Sequence, residues 1–309
     1  MTLEAYIECG RLELQSPLFL DGGITFWTLV DSPSTTPLSA CETINRKKGW
    51  VKVPGRPVEE VPVIGIASVF TPATRRNKGY AAALMQLLSK KVHAMTGGRG
   101  FSVLFSNIGP CYYAVNGGWI TSGEASQLII PITKTFMDTV APELLQLKQA
   151  EEYINKDVKT LEKEFAADSN ITTVRMIPQY SELQWAILRE TQVAKHLNIQ
   201  TVDVVGAKSV TSGDGWGYIL WFHEFKESSL TVLRLREPSS DGELRGLLKA
   251  AVNEAERSGL KEVRIWSSSQ RLEVLCGIKK TVRTSELPGL LYLAGEEVRW
   301  DTVEKISWC

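Results

Sequence analysis

The clearest chemistry in this 309-residue chain lies in Arg75-Arg76-Asn77-Lys78-Gly79-Tyr80-Ala81. These residues follow an apolar run, Val63–Phe70, and open a helical one, Ala81–Met95. A strand that turns sharply into a helix leaves backbone N–H groups without intrahelical partners, at the positive end of the helix dipole. Gly79 lets a ligand approach the backbone closely, while Arg75, Arg76 and Lys78 add positive charge beside it. The guest that suits such a turn is a pyrophosphate, and with it a nucleotide-like cofactor.

A second constellation follows. Tyr113-Ala114-Val115-Asn116-Gly117 reads Tyr-x-x-x-Gly, after the strand-like Phe101–Phe105 and the turn Ser106-Asn107-Ile108-Gly109-Pro110. Other chemistries find less support. His93, His196 and His223 are far apart and at no metal-ligand spacing. The five cysteines include no CxxC pair, which suggests free thiols in a reducing compartment. There is no Gly-x-Ser-x-Gly elbow and no Walker A loop.

The elements that must position these residues are legible as periodic segments. Residues 1–15 read as a helix, and Ile24–Asp31, Leu38–Arg46 and Val63–Phe70 as strands. Trp50–Pro62 reads as a hairpin loop. The helix after Val63–Phe70 should place Leu84, Leu87, Leu88, Val92 and Met95 on one face and stop at Gly97-Gly98. Residues 136–165 are expected to form one or two connecting helices, and Tyr180–Leu197 another, with Glu190 in its apolar register. In the last third, Tyr218–Glu224 and Leu230–Leu235 predict strands, Glu243–Ser258 an amphipathic helix, and Lys261–Trp266 a parallel partner strand. Strand–turn–helix–strand thus occurs twice. The second turn carries Glu237, Asp241 and Glu243, which suit a helix dipole but repel phosphate. Only the first turn is expected to hold a cofactor. The division predicted is a cofactor domain over 1–134, a helical connector over 135–200 and a second domain over 201–309.

Composition bounds the partners. Lys+Arg and Asp+Glu are both 35, so the net charge is zero, which argues against a general binder of nucleic acid or anionic membrane. The 43% hydrophobic and 23% charged content is that of a globular protein. No apolar run is long enough for a membrane helix, and the start lacks the basic region of a signal peptide, so the cytosol is the expected location.

Together, Arg76-Asn77-Lys78-Gly79-Tyr80-Ala81 (Arg-x-x-Gly-x-Ala) and Tyr113–Gly117 resemble the two signature segments of the GNAT superfamily of acyl-CoA-dependent N-acetyltransferases. Ser39-Ala40-Cys41-Glu42-Thr43, Gly65–Phe70, Gln184-Trp185 and Val193-Ala194-Lys195-His196-Leu197 are similar to the fungal lysine N6-acetyltransferases of lysine catabolism. The resemblance implies an α/β fold: a GNAT-type mixed sheet with flanking helices plus a GNAT-like C-terminal domain. A GNAT domain normally opens with a strand and a helix that this sequence does not show, as in a chain started too far downstream or a relative that has lost the unit.

The resemblance also implies acetyl-CoA as co-substrate, cradled by Arg75–Ala81, and a small-molecule primary amine as acceptor, lysine by family default. Backbone N–H groups near Val69 or Phe70 would serve the oxyanion, and Tyr113 would protonate the leaving thiolate. Relatives tend to have Asp where Asn107 stands, and Asn can orient a group but cannot act as a base. For the base, Glu42 is one candidate and the terminal carboxylate at Cys309 another, by analogy with two-domain relatives such as N-myristoyltransferase. Two other readings remain open: a secondary-metabolite tailoring enzyme on the same fold, and a non-catalytic acyl-CoA sensor.

Overall fold

The computed structural model describes residues 3–32, 35–167, 170–200, 203–294 and 297–308. Two twisted mixed sheets carry the chain. The first half supplies α1 (Leu3–Glu13), β1 (Ile24–Val30), β2 (Pro37–Lys52), β3 (Glu59–Phe70), α2 (Tyr80–Met95), β4 (Phe101–Ser106), α3 (Tyr112–Gly117), β5 (Ile120–Thr121) and β6 (Ser126–Pro131). There follow β7 (Glu143–Gln146), α4 (Leu147–Phe165), β8 (Thr172–Met176), α5 (Tyr180–Leu197), β9 (Val204–Lys208), β10 (Tyr218–Glu224) and β11 (Ser229–Arg236). The last elements are α6 (Asp241–Arg257), β12 (Glu262–Trp266), α7 (Gln270–Cys276), β13 (Thr281–Val282), β14 (Leu287–Tyr292) and β15 (Val298–Trp300), ending in a 3-10 turn at Lys305–Ser307. Among the described residues no helix is long and apolar enough to cross a membrane.

The first sheet runs β15-β8-β2-β3-β4-β14-β5 with β1 on β2; the second runs β13-β6-β12-β11-β10-β9-β7. Each contains a parallel pair joined through one helix, β3-α2-β4 and β11-α6-β12, and the first sheet also pairs β15 parallel with β8. The repeated strand–helix–strand units predicted above are therefore present. The chain crosses between the sheets more often than a division at 134 and 201 provides for. β6 and β7 join the second sheet, whereas β14 and β15 return to the first.

Local sequence explains the elements. In α2, Leu84, Met85, Leu88 and Val92 are buried, and Gly97 and Gly98 take positive φ just past its end. Leu87, expected on the same face, is 56% exposed, because the buried stripe runs through Met85 instead. The predicted hairpin loop shrinks to residues 53–58, since β2 and β3 extend to Lys52 and back to Glu59. The helix expected within 136–165 begins only at Leu147, where Gln146 and Gln149 form a capping box. Helix α5 matches its predicted span, closed by a Gln179–Glu182 capping box and by Asn198 in the left-handed region. The second sheet is buried on both faces, by α6 on one side and by α4 and α5 on the other, so β10 opens with an unbroken apolar run, Tyr218–Phe222. Trp221, Trp300, Trp266 and Trp216 are core residues.

Candidate functional site

The turn between β3 and α2 is open. A short 3-10 turn, Ala73–Arg75, leads into Asn77 at φ 60° and Gly79 at φ 79°. Arg76 Nε donates to Thr71 O at 3.1 Å and fixes the start of the turn. Gly79 is the N-cap of α2. Its side contributes no cap, the first helical turn holds no acidic residue, and no heavy atom stands within 4 Å of where a Cβ would lie. The orphan N–H groups of α2 therefore face an unfilled cradle with Arg76 and Lys78 exposed beside it. The start of α6 is the opposite case. Ser240 Oγ accepts from Glu243 N, Glu243 accepts from Thr211, and Asp241 is held by Arg271.

Strands β3 and β4 pair in parallel only from Val63↔Phe101 to Ile66↔Leu104. Ser68, at φ 52°, then places an extra residue in β3: two steps on β2 (Ala40, Glu42) face three on β3 (Phe70, Ala67). Such a bulge bends a strand and ends its pairing. Beyond it, the Val69 and Phe70 backbone lies where β3 has left β4. Ser39 Oγ donates to Phe70 O at 3.0 Å and holds this end. Tyr113 packs from α3 into the cluster of Cys41, Ile66, Leu84 and Trp119, with Val69 among its partly buried neighbours. Burial, with Tyr112 and Cys41 nearby, pushes its phenol up to about 12. Burial also pushes the Cys41 thiol up to about 12, so it stays protonated and poorly nucleophilic at neutral pH.

On the other side of the β3–β4 opening lies a cleft of 810 Å³ between the two sheets. Ala67, Ser68 and Asn107 form its end at the opening, and Phe19, Phe26, Trp185 and Trp308 form aromatic walls. Its charge is unbalanced: Glu13, Glu42, Glu190, Glu224, Glu227 and Glu286 line it, against Arg189, Lys226 and Arg264. Four of the carboxylates are matched by cations. Glu190 pairs with Arg189 at 3.3 Å and Glu227 with Arg264 at 3.9 Å. Lys305 pairs with Glu224 at 3.4 Å and Glu286 at 2.7 Å. Among the described residues, Glu13 and Glu42 pair with no cation. The Glu13 carboxylate accepts the Trp185 indole N–H at 3.2 Å. Burial raises the Glu42 carboxyl above the usual range; a Ser68 hydrogen bond opposes this and the Glu13 charge adds to it.

Residues 129–309, more than half of the sequence, match the family described as LYC1 GNAT-like C-terminal domain. The chain belongs to the LYC1-like GNAT family. Three solved structures share its fold. The GCN5-related N-acetyltransferase of Kribbella flavida aligns with TM-score 0.58 and 17% identity over 94% of this chain. This chain spans 64% of that protein's length. The GCN5-related N-acetyltransferase of Anabaena variabilis gives 0.51 and 18%, over 94% of this chain and 71% of that one. A probable N-acyltransferase of Enterococcus faecalis gives 0.57 and 13%, over 95% and 72%. At these identities the likeness is one of fold. No curated protein matches the sequence.

On this GNAT chain, the turn Arg75–Ala81 and the bulged end of β3 are contiguous in sequence, and Tyr113 and Val69 pack against the same buried cluster. Glu42 and Asn107 lie on the cleft side. Asn107 Oδ1 accepts from Glu286 N at 2.9 Å and ties the end of β4 to the segment before β14. Cys309 lies outside the described residues, while its neighbour Trp308 lines the cleft. Sequence reasoning missed Glu13 and Arg189 at this site. Glu190 did leave a signal, as a carboxylate inside the apolar register of α5.

Proposed function

We propose that this chain is an acyl-CoA-dependent N-acyltransferase, with acetyl-CoA as the acyl donor and a small cationic primary amine as acceptor. The observation that carries the reading is the pair of carboxylates without a cation, Glu13 and Glu42, in a cleft that ends at the β3–β4 opening. Two uncompensated negative charges in a half-buried cleft favour a positively charged guest. The open start of α2 fits the donor's pyrophosphate: it is uncapped, free of acid and flanked by Arg76 and Lys78. The family's general use of acetyl-CoA and the likeness to lysine acetyltransferases support acetyl as the acyl group and a lysine-like amine as acceptor.

Each step then has a residue. An ammonium must lose a proton before it can attack a thioester, and Glu42 takes it; burial makes its carboxylate a better base than an exposed one. The Val69 and Phe70 N–H groups, past the bulge, stabilise the developing oxyanion. Tyr113, protonated at neutral pH, donates to the departing sulfur. The amine attacks directly, because Cys41 is held as a thiol. Titration with acetyl-CoA, followed by an amine panel in the same buffer, tests the reading. Thiol release that depends on a cationic amine is expected. Binding without thiol release on any amine would overturn the transferase and leave an acyl-CoA sensor.

A further inference from the structure

Lys47 has a side chain with no exposure, on the strand whose residues Glu42 and Ile44 line the cleft. Side chains alternate along a regular strand, so position 47 would face away from 42 and 44. The register with β3 moves from Ile44↔Gly65 to Lys47↔Val63, three steps on β2 against two on β3. This second bulge returns Lys47 to the face of Ile44. Its ammonium then has an acceptor for each of its three protons: Glu182 Oε1 at 2.7 Å, Trp308 O at 3.1 Å and Ser307 O at 3.3 Å. Glu182 Oε2 in turn accepts from Gln179 N at 3.2 Å and caps α5. One lysine thus joins a central strand, the start of α5 and the C-terminal segment. At that joint the Trp308 indole stacks on Trp185, with centroids 5.6 Å apart and planes at 12°, and the Arg189 guanidinium lies 4.6 Å over it. Both indoles are cleft walls.

We infer that Lys47 is a positioning residue for the acceptor: it clamps the Ser307 and Trp308 carbonyls so that the Trp308 indole stands as a fixed wall of the cleft. A compact ammonium with three rotatable donors can gather two successive carbonyls and a carboxylate at one point. The carbonyls belong to the last residue and the C-cap of a single 3-10 turn, outside either sheet, and need donors of this kind. The kinetic consequence rests on the acyltransferase reading; the geometric one does not.

Two variants separate a clamp from a mere staple of the fold. Lys47→Met with Glu182→Gln removes both charges together and leaves no lone buried ion. Trp308→Ala removes the wall and keeps the pair. Circular dichroism reads the exciton coupling of the stacked indoles, and steady-state kinetics read the acceptor. The double variant is expected to lose the exciton signal and to raise the amine KM roughly tenfold or more, with kcat and acetyl-CoA affinity within about twofold of the parent. Trp308→Ala should reproduce that KM, and the triple variant should be no worse than Trp308→Ala alone, since the clamp acts through the indole. An intact exciton signal with an unchanged amine KM in the folded double variant overturns the inference. So does an unchanged amine KM in Trp308→Ala, a result available even if the double variant does not fold. If no amine is turned over by the parent, the acyltransferase reading fails, while the exciton signal still decides the clamp.

Discussion

Glu42 and Tyr113 are both half-buried, and burial favours the protonated form of each. For Glu42 the result is a stronger base; for Tyr113 it is a phenol that stays protonated at neutral pH, as the proposed acid role requires. Tyr113→Phe is expected to lower kcat roughly a hundredfold and leave acetyl-CoA affinity unchanged, as measured by thiol release and by titration calorimetry. Lost affinity with normal turnover would remove Tyr113 from the acid role. For Glu42 the sign follows from the role proposed for it as the base. Only the carboxylate can take a proton, so the rate falls as pH drops through its value, which burial places above that of an ordinary Glu. Glu42→Gln should abolish that acid limb of the kcat/KM profile. Persistence of the limb in the variant would assign the base elsewhere.

At the scale of elements, the two crossover helices give one architecture an open start and a closed one. Helix α2 begins at a left-handed glycine with open space beside it, whereas α6 begins at a Ser240 cap followed by two acids. Gly79→Asp adds a side chain and a negative charge at the cradle, so acetyl-CoA affinity should fall about tenfold or more. Unchanged affinity in the folded variant would show that the turn holds no phosphate. Both crossovers were legible in the sequence because an apolar strand, a glycine-marked turn and an amphipathic helix each leave a periodic trace. β14 was not, since Leu287-Pro288-Gly289-Leu290-Leu291-Tyr292 contains a proline and a glycine, and its pairing with β4 comes from far along the chain. The bulges at Ser68 and before Lys47 were also hidden. A bulge is a property of two strands in register, and neither sequence alone shows it. For the same reason Glu13 and Lys47 looked like ordinary helix and strand residues until the fold placed Glu13 at the cleft and Lys47 against the C-terminal segment.

Across the whole molecule, one buried carboxylate holds α4 to the second sheet. Asp157 is fully buried and accepts from Arg234 Nε at 2.6 Å, from Arg236 Nε and from the Tyr218 hydroxyl at 2.9 Å. Arg234 also reaches Glu304, just ahead of the C-terminal turn. Burial by itself would raise the Asp157 carboxyl, but the two arginines outweigh it and hold it below the usual range. A depressed carboxylate stabilises the fold above its unfolded value, about 3.9, and that contribution is lost as pH falls through the native one. Acid unfolding is therefore expected to begin below about pH 4. Asp157→Asn should cost about 3–5 kcal/mol in urea denaturation by leaving Arg234 buried and underpaired. A loss under about 1 kcal/mol would show the network to be solvated.

The return of β14 and β15 to the first sheet also sets an order on biosynthesis. While the chain is being made, β4 keeps a bare edge beside β3, and β8 keeps one beside β2, until residues 287–300 leave the ribosome. The sheet that begins first is completed last, across a loop of most of the chain, and such distant closures are slow. A nascent chain of this kind carries exposed strand edges through much of its synthesis, which makes it a natural client of holding chaperones.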